Sequence, residues 1–403
     1  MGQSPGHGEA MAHLLHVLIS LGLITSLFTV VANLLCFGGL RAARPEAETP
    51  LVSILVPARN EERSIGECLR SLLAQDYPYC EVIMLDDGSQ DATAKIAQGL
   101  GLSETGSIAR MIRGQPLPEG WTGKNWACHQ LARQARGEYL FFTDADTEHK
   151  HGTVSALVDY ARRHQADLVS AWPRLVTVTW AEKIVLPMIM LLAMMLYPHW
   201  MLILLQRFPA IAARIPVQGR RMFGAANGQS LFFRRVAYDR IGGHEAVRDH
   251  LVEDVALGRA VAARMDEGLR LFNCDALRFS TCRMYRSFGE VWEGFTKNLR
   301  AAFEGSLAGF LAMGIVQFGC LLLPFLLLFQ RHASCDCAVK EVGLIYLIRV
   351  IVTVRFRTSW ASCILHPIGQ TLGLAIGLNS WRRLVGPGVT WKGRTYSKSA
   401  GIS

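Results

Sequence analysis

Long apolar segments lie toward both ends of the chain, and alternating strand and helix patterns lie between them. Residues 11–40 contain no Lys, Arg, Asp or Glu, and about 20 apolar residues are enough to cross a bilayer. Two further runs without charge cover 305–330 and 358–381. The pattern predicts an N-terminal transmembrane anchor at 11–40 and a C-terminal transmembrane region at 305–381, and therefore a multi-pass membrane protein.

The number of C-terminal crossings is left open by a weaker apolar segment, 342–354, which contains Arg349. Arg41 and Arg44 follow the first apolar segment and place that end in the cytoplasm by the positive-inside rule. Three complete C-terminal crossings would put the basic tail, 382–403, outside the cell against the same rule. Two crossings would keep the tail inside, and either the weak segment 342–354 or a re-entrant segment at 358–381 around Pro367 could account for this number.

Between these regions, from about residue 50 to 303, apolar runs alternate with apolar residues at helical spacing. Continuous apolar runs are typical of buried parallel strands, and apolar residues three and four apart indicate helices. The predicted strands are 51–57, 81–85 and 139–143, and the predicted helices are 64–76, 91–100 and 125–136. This alternation predicts an α/β domain with a parallel sheet, whose ligands bind at the carboxyl ends of the strands.

An uncharged segment at 184–206 interrupts this domain. Pro187 and the Tyr197-Pro198 pair break its helical pattern. We interpret it as an interfacial segment lying on the membrane surface, with a true crossing as the alternative. A single crossing at this point would separate the two halves of the predicted domain.

Composition and charge narrow the class of protein. Of the 403 residues 50% are hydrophobic and 19% are charged, so the chain is not intrinsically disordered. The net charge is +9, but residues 342–403 alone hold eight Lys and Arg and no Asp or Glu. Because the excess charge adjoins apolar segments, it indicates a membrane surface rather than nucleic acid. The ten cysteines form no CxxC pair, which argues against a zinc ribbon.

Two acidic clusters follow predicted strands. Asp86 and Asp87 come after the second strand, and Asp144 and Asp146 come after the strand at 139–143. The carboxyl ends of parallel strands lie at one edge of the sheet, so the clusters are expected to be neighbours. Carboxylate oxygens suit a divalent cation such as Mg²⁺ or Mn²⁺. Capping of a helix is the simpler alternative for each acid.

These motifs, in this order, resemble those of the family 2 glycosyltransferases, which have the Rossmann-like GT-A fold. The matching stretches are VSILVPARNEE at 52–62, MLDDGSQDAT at 84–93, FFTDADT at 141–147 and VEDVALG at 252–258. A narrower resemblance is to the polytopic, hopanoid-biosynthesis-associated and carotenoid-type glycosyltransferases of bacterial membranes. It is carried by WTGKNWA at 121–127, GGHEAVRDHLVEDVAL at 242–257, RMYRSFGEVWEGFTKNL at 283–299 and WKGRTY at 391–396.

The resemblance implies a donor site for a nucleotide-sugar at the strand ends. Asp146 is then the metal ligand, and Asp144 contacts the ribose or the metal. A cation at a helix start is unfavourable for the helix dipole, so Lys124 is expected to meet an anion there, such as the donor's diphosphate. The residues predicted to bind the nucleotide-sugar are Pro57, Glu61, Asp86, Asp87, Lys124 and Asp144. Favourable charge in the first turn of a helix is an equal alternative for Glu61.

The resemblance also implies the catalytic residues. Asp254 is the predicted base that deprotonates the acceptor, and Glu253 is its orienting neighbour. Arg286 is predicted to pair with the diphosphate as negative charge grows on it. The family's aromatic residue after this arginine is replaced here by Ser287, which puts the usual aromatic contact in doubt. The predicted acceptor-site residues are His244, Glu245 and Trp292, with a structural role equally open for the histidine.

Together these patterns predict a glycosyltransferase domain at 50–303, including 184–206, with the domain on the cytoplasmic face of the plasma membrane. The predicted reaction moves a sugar, UDP-linked by expectation, to a hopanoid-, carotenoid- or other polyprenoid-like lipid with inversion. No nucleic-acid partner is expected. One alternative, a processive polysaccharide synthase, would need more crossings and a complete Q-x-x-R-W motif. The other alternative is a catalytically silent scaffold that binds nucleotide or lipid.

Overall fold

The computed structural model describes residues 7–44, 49–301, 303, 306–329, 334–385, 389–391 and 394–396. These residues form two compact units, each built from parts of the chain that are distant in sequence. The sheet unit takes its residues from 36–176, 199–284 and the end of the chain from 388. The helical unit takes its residues from 1–35, 177–198 and 285–387. The predicted domain at 50–303 therefore contributes residues to both units.

The sheet unit is organised around a seven-stranded sheet in the order β3-β2-β1-β4-β8-β6-β9. A small three-stranded sheet has the order β5-β10-β7, and β11 and β12 form a two-stranded hairpin. The strands are β1 (Val52–Ala58), β2 (Cys80–Asp86), β3 (Ala109–Arg113), β4 (Tyr139–Thr143), β5 (Thr147–His149), β6 (Leu168–Trp172), β7 (Arg174–Leu175), β8 (Ser230–Arg234), β9 (Leu271–Asp275), β10 (Ser280–Cys282), β11 (Val389–Trp391) and β12 (Arg394–Tyr396).

The predicted parallel sheet is found around β1, but the whole sheet is mixed. The strand β1 pairs in parallel with β2 on one side and with β4 on the other. The strand β8 is antiparallel to both of its neighbours, β4 and β6. Residues 230–233 of β8 are buried on both faces, as those of a parallel strand are, and only Arg234 at its end is exposed. An apolar run of this kind does not record strand direction, so the pattern could not reveal this insertion.

Helices cover the sheet and place their first turns near the strand ends. Those of the sheet unit are α2 (Ile65–Leu73), α3 (Thr93–Gly99), α4 (Gly123–Gln134), α5 (Thr153–His164), α7 (His199–Arg207), α8 (Pro209–Ala212), α9 (Val217–Arg221), α10 (Arg235–Arg240) and α11 (Glu253–Ala263), with 3-10 helices at Gly243–Val247 and Met265–Glu267. The helix α2 corresponds to the helix predicted at 64–76. Its buried residues recur at helical spacing, and they are Ile65, Cys68, Leu69 and Leu72.

The helical unit contains α1 (His7–Cys36, whose last residue is counted with the sheet unit), α6 (Trp180–Leu196), α12 (Phe288–Ala301), α13 (Leu307–Leu321), α14 (Leu323–Leu327), α15 (Ser334–Phe356), α16 (Trp360–Ile364) and α17 (His366–Val385). Polar side chains join several of these helices. The side-chain amide of Asn33 donates to the backbone oxygens of Met194 and Tyr197, both at 2.8 Å. His16 Nδ1 lies 3.0 Å from Glu341 Oε1.

Two helices among the described residues are long and apolar enough to cross a membrane singly, Glu9–Cys36 and Leu307–Leu327. They correspond to the predicted segments 11–40 and 305–330. The helices α6 and α7 meet the same measure only if they are counted as one broken span. The uncharged run at 358–381 divides into α16 and α17, and neither helix meets the measure.

Candidate functional site

The ends of β1 and β2 are joined by their backbone at the predicted donor site. Ala58 pairs with Asp86 in the parallel register, and the backbone N–H of Asp87 donates to the oxygen of Ala58 at 2.9 Å. Asp86 Oδ1 accepts a hydrogen bond from the N–H of Ser89 at 3.2 Å. The two strand ends thus hold Asp86 and Asp87 beside Pro57, the next-to-last residue of β1.

The turn after β1 has a specific backbone conformation. Asn60 has a φ of 54°, a left-handed conformation that Asn tolerates better than most residues. The N–H of Glu61 donates to Thr93 Oγ1 at 2.7 Å, and Glu61 Oε2 accepts from Ser64 Oγ at 3.1 Å. Glu61 therefore helps to order this turn, and its predicted ribose contact stays a prediction.

Lys124 joins two acidic motifs that lie far apart in sequence. Its Nζ lies 2.6 Å from Asp144 Oδ1 and 2.7 Å from Glu253 Oε1. Burial alone would lower the pKa of the lysine, but the two carboxylates outweigh it and raise the pKa well above its ordinary value. The anion expected at this helix start is thus supplied here by the protein's own carboxylates. Contact of Lys124 with a diphosphate remains a prediction.

The start of α4, which carries Lys124, is fixed from the opposite side. Asn125 is fully buried, and its Nδ2 donates to the backbone oxygens of Val247, Arg248 and His250 at 2.6, 3.2 and 3.0 Å. These oxygens belong to the segment that leads into α11. Asn125 therefore sets the position of Lys124 relative to Glu253, a positioning role that the sequence did not reveal.

Asp254 is the second residue of α11, and two backbone groups hold its carboxylate. The N–H of Gly228 donates to Oδ2 at 2.6 Å, and the N–H of Val255 donates to Oδ1 at 2.8 Å. Burial, followed by repulsion from Glu253, raises the pKa of Asp254 to about 6, although Lys124 and the two N–H groups act in the opposite direction. A carboxyl with such a pKa is suited to take a proton near neutral pH.

Gly228 allows the chain to approach Asp254 closely. A Cβ at this position would lie 3.0 Å from Asp254 Oδ2 and 3.2 Å from its Cβ. Both distances are at the limit of what real Cβ atoms show, so a side chain would displace the carboxylate. The sequence around 225–230 contains small residues but no marker of this contact, which arises only when β8 is placed in the sheet.

Asp144 and Asp146 follow β4 and are both partly exposed. Asp146 Oδ1 accepts a weak hydrogen bond from Thr147 Oγ1 at 3.4 Å and another from Cys282 Sγ at 3.4 Å. The described residues contain no group of three or more His, Cys, Asp or Glu side chains arranged to hold a metal ion. Mg²⁺ in nucleotide sites takes one or two carboxylates and completes its shell with phosphate and water, so two strand-end carboxylates fit such an ion.

The predicted acceptor residues lie in different surroundings. His244 is only 1% exposed; its Nδ1 lies 2.8 Å from the hydroxyl of Tyr238, and its ring packs on Phe142 at 4.8 Å. Burial lowers the pKa of His244 to about 3, so the ring is neutral. Glu245 beside it is exposed. This packing accounts for the histidine structurally, and an acceptor role for either residue stays a prediction.

Arg286 and Trp292 belong to the helical unit, whereas the other predicted site residues belong to the sheet unit. The backbone N–H of Arg286 donates to Glu290 Oε2 at 2.7 Å in the first turn of α12. The ring of Trp292 lies 5.7 Å from that of Phe288, which stacks on Trp180 at 5.3 Å. Their predicted roles toward the diphosphate and the acceptor remain predictions.

The basic tail, predicted as a membrane anchor, contributes to the sheet unit. Arg394 in β12 makes a two-pronged ion pair with Asp87, in which Nη1 lies 2.5 Å from Oδ2 and Nη2 lies 3.0 Å from Oδ1. Asp87 is 8% exposed. The 307 residues between the partners explain why local sequence patterns did not reveal the pair.

Comparisons with known proteins agree with this arrangement. The sequence model of Glycosyl transferase family 2 matches residues 53–236, which include β1, β2, α4 and β4. The model of Glycosyl transferase family 21 matches residues 203–402. The chain is therefore similar to the family 2 glycosyltransferases over residues 53–236. The resemblance deduced from the motifs is therefore confirmed.

Among the relatives of this glycosyltransferase are 4,4'-diaponeurosporenoate glycosyltransferases of Staphylococcus aureus. That of strain USA300 is 27% identical over 370 residues, which cover 86% of this chain and 88% of the relative. That of strain MRSA252 is 27% identical over 366 residues with the same coverage. The chain is thus similar to these relatives along most of its length.

A solved structure shows the same fold. The mannosyltransferase PcManGT from Pyrobaculum calidifontis, in complex with GDP-mannose and Mn²⁺, aligns with a TM-score of 0.52 and 16% sequence identity. The alignment covers 92% of this chain and 99% of the mannosyltransferase. The predicted GT-A fold is confirmed.

Proposed function

We propose that this glycosyltransferase moves a sugar from a nucleoside-diphosphate donor, a UDP-sugar by expectation, to a hydroxyl or carboxyl of a polyprenoid-like lipid, with inversion at the sugar. The observation that carries the proposal is the bridge made by Lys124 between Asp144 and Glu253. This bridge joins the strand-end acids, which suit a donor, to the helix that bears Asp254, which suits an acceptor. A site of this composition favours transfer over mere nucleotide binding.

Asp254 acts as the base in this proposal. Its carboxylate is aimed by the N–H groups of Gly228 and Val255, which fix it without a flexible partner. It accepts the proton of the acceptor as the acceptor's oxygen attacks the anomeric carbon. Attack from the side opposite the diphosphate in one displacement inverts the configuration at that carbon.

Charge on the donor is matched by residues at the strand ends. Asp146 and Asp144 would hold Mg²⁺ or Mn²⁺, which offsets the negative charge of the diphosphate. Lys124 already lies on Asp144 and is placed to exchange this carboxylate for a phosphate oxygen. Asp86 and Asp87, with Pro57 and Glu61 in the adjoining turn, would bind the nucleoside part. Arg286 would stabilise the departing diphosphate.

A lipid acceptor is supported by two features. Two described helices are apolar and long enough to cross a membrane, and the matched relatives are named for 4,4'-diaponeurosporenoate. We therefore place the protein in the plasma membrane as a multi-pass protein, with the sheet unit in the cytoplasm. Trp292, His244 and Glu245 remain the proposed acceptor-site residues.

The proposal is tested with purified full-length protein, Mn²⁺ and a panel of nucleotide-sugars, with and without a bacterial lipid extract. We expect nucleoside-diphosphate release that increases when the extract is added. Asp254→Asn should reduce this release at least a thousandfold while it leaves nucleotide affinity within about threefold, because general-base catalysis and orientation depend on that carboxylate.

Asp159→Asn is the matched control, since Asp159 is paired with Arg163 on the surface of α5. This variant should release diphosphate at the rate of the unmodified protein. Undiminished transfer by Asp254→Asn would overturn the assignment of the base. Absence of transfer by the unmodified protein with every donor would overturn the proposed function itself.

A further inference from the structure

The C-terminal hairpin carries a charged side chain to the predicted donor site. Its strands are antiparallel, with Val389 opposite Tyr396 and Trp391 opposite Arg394. The guanidinium of Arg394 forms a fork on the carboxylate of Asp87. The two side chains are only 21% and 10% exposed, so this pair is screened from water far more than ordinary surface ion pairs.

The same guanidinium lies against the first residue of α4. A Cβ on Gly123 would lie 1.9 Å from Arg394 Nη1 and 3.4 Å from its Cδ. A side chain at this position would force the guanidinium to move. Since Lys124 is the next residue, two cationic side chains from distant parts of the chain meet at the start of one twelve-residue helix.

This clustering needs an electrostatic explanation. The start of a helix carries partial positive charge, so cations are unfavourable there and anions are favoured. The protein pairs Arg394 with Asp87 and Lys124 with Asp144 and Glu253. The carboxylates thus hold both cations in place at the helix start, where a phosphate could replace a carboxylate as their partner.

We propose that Arg394 binds the diphosphate of the donor and that Asp87 positions it, an inference that rests on the proposed function. A guanidinium has five N–H donors in a rigid plane that suits phosphate oxygens. The fork on Asp87 fixes that plane at the start of α4. A carboxylate has about four acceptor positions, so Asp87 can hold Arg394 and contact the nucleoside as well.

The test compares a nucleoside diphosphate with its nucleoside. The affinities of the full-length protein for UDP, GDP, uridine and guanosine are measured by calorimetry with Mg²⁺. We expect Arg394→Ala to weaken binding of the preferred diphosphate about tenfold or more and to change binding of its nucleoside less than twofold. The KM for the nucleotide-sugar should rise in parallel, while the KM for the lipid acceptor stays the same.

Gly123→Ala provides a second variant that keeps the arginine. The added methyl group occupies the position of Arg394 Nη1 and pushes the guanidinium away, although alanine itself favours a helix. It should weaken diphosphate binding in the same direction as Arg394→Ala. Arg113→Ala is the matched control, because Arg113 forms an exposed ion pair with Glu104 in the same unit, and it should bind diphosphate like the unmodified protein.

Several results would overturn the inference while the proposed function stands. These are unchanged diphosphate affinity in both variants, or equal weakening of diphosphate and nucleoside, in a protein that still transfers sugar. If Arg394→Ala fails to fold, unchanged diphosphate affinity in folded Gly123→Ala still overturns it. Loss of transfer from the unmodified protein with every donor would instead refute the proposed function.

Discussion

At the scale of single residues, the adjacent acids Glu253 and Asp254 have different surroundings, and this difference decides which of them can act as the base. Glu253 is 5% exposed, and its Oε1 lies 2.7 Å from the ammonium nitrogen of Lys124. Asp254 has backbone N–H partners instead. This difference explains why Asp254 rather than Glu253 is the proposed base, since a carboxylate committed to a lysine is a weak proton acceptor.

The pH dependence of transfer follows from the pKa of Asp254. Because burial and Glu253 raise this pKa to about 6, the base is protonated below pH 6 and ionised above it. We expect kcat/KM for the donor to fall as the pH drops through about 6 and to level off above pH 7. Glu253→Gln removes the repulsion, so the fall of kcat/KM should occur at lower pH in this variant. A fall of kcat/KM at the same pH as in the unmodified protein would contradict the electrostatic explanation.

Removal of the lysine should expose the repulsion between its partners. Lys124→Met leaves Asp144 and Glu253 without their shared cation, at a cost of about 1–3 kcal/mol in the free energy of unfolding. This range is below that of a fully buried pair because the Lys124 side chain is 38% exposed. Thermal unfolding measures this loss.

The matched control for this prediction is Lys95→Met on α3, where the lysine is exposed. Its effect should stay within about 0.5 kcal/mol. A loss of stability in Lys124→Met no larger than that of Lys95→Met would contradict this prediction.

Sequence reasoning placed part of the site at residue level. The acids at the ends of β2 and β4 were predictable, since an apolar run followed by acids is a local signal. The partners of those acids were not. The site also contains three residues brought there by contacts between distant parts of the chain, namely Asn125, Gly228 and Arg394. Local sequence patterns do not predict such contacts.

At the scale of elements, β1 is the strand on which the site is built. Its buried Ser53 donates to Glu81 Oε1 at 2.6 Å, and the backbone N–H of Arg136 donates to the same oxygen at 2.8 Å. The Arg136 side chain binds Glu81 Oε2 at 2.9 Å. One buried carboxylate therefore ties β1, β2 and the end of α4 together at the edge of the sheet opposite the site.

Glu81→Gln should destabilise this arrangement by about 2 kcal/mol at pH 7. Burial opposes ionisation of Glu81, but the bonds from Ser53 and Arg136 prevail and lower its pKa. A lowered pKa in the folded protein stabilises it above the unfolded value, and this contribution is lost as the pH falls through the folded value. The difference from Gln should therefore shrink below about pH 4.5, as measured by thermal unfolding.

Glu138→Gln is the control for Glu81→Gln, because Glu138 is exposed in the turn before β4. It should change stability by less than about 0.5 kcal/mol. A difference between Glu81→Gln and the unmodified protein that grows toward acidic pH would contradict the expected direction of the pKa shift.

Strands and helices were predicted correctly where the spacing of apolar residues determines them. The predicted strand at 139–143 coincides with β4, and the predicted helix at 125–136 overlaps α4. The antiparallel β8 was not predicted, because strand direction depends on the connection and not on apolar spacing. The sequence left a re-entrant segment around Pro367 open for 358–381, and the chain divides there between Ile364 and His366.

At the scale of the whole molecule, orientation in the membrane is the next testable property. Arg41 and Arg44 follow α1, and positive charges favour the cytoplasmic side. Green fluorescent protein fused after residue 44 should therefore fluoresce, and alkaline phosphatase fused there should be inactive. The opposite pair of results would place the sheet unit outside the cytoplasm, away from cytoplasmic nucleotide-sugars.

The central claim is that Asp254 drives sugar transfer to a lipid, and lipid analysis tests it most directly. Mass spectrometry compares the lipids of cells that express the unmodified protein, Asp254→Asn, or neither, at matched protein levels. The account predicts a glycosylated polyprenoid-like lipid with the unmodified protein alone. The same glycolipid at equal abundance in cells with Asp254→Asn would contradict it.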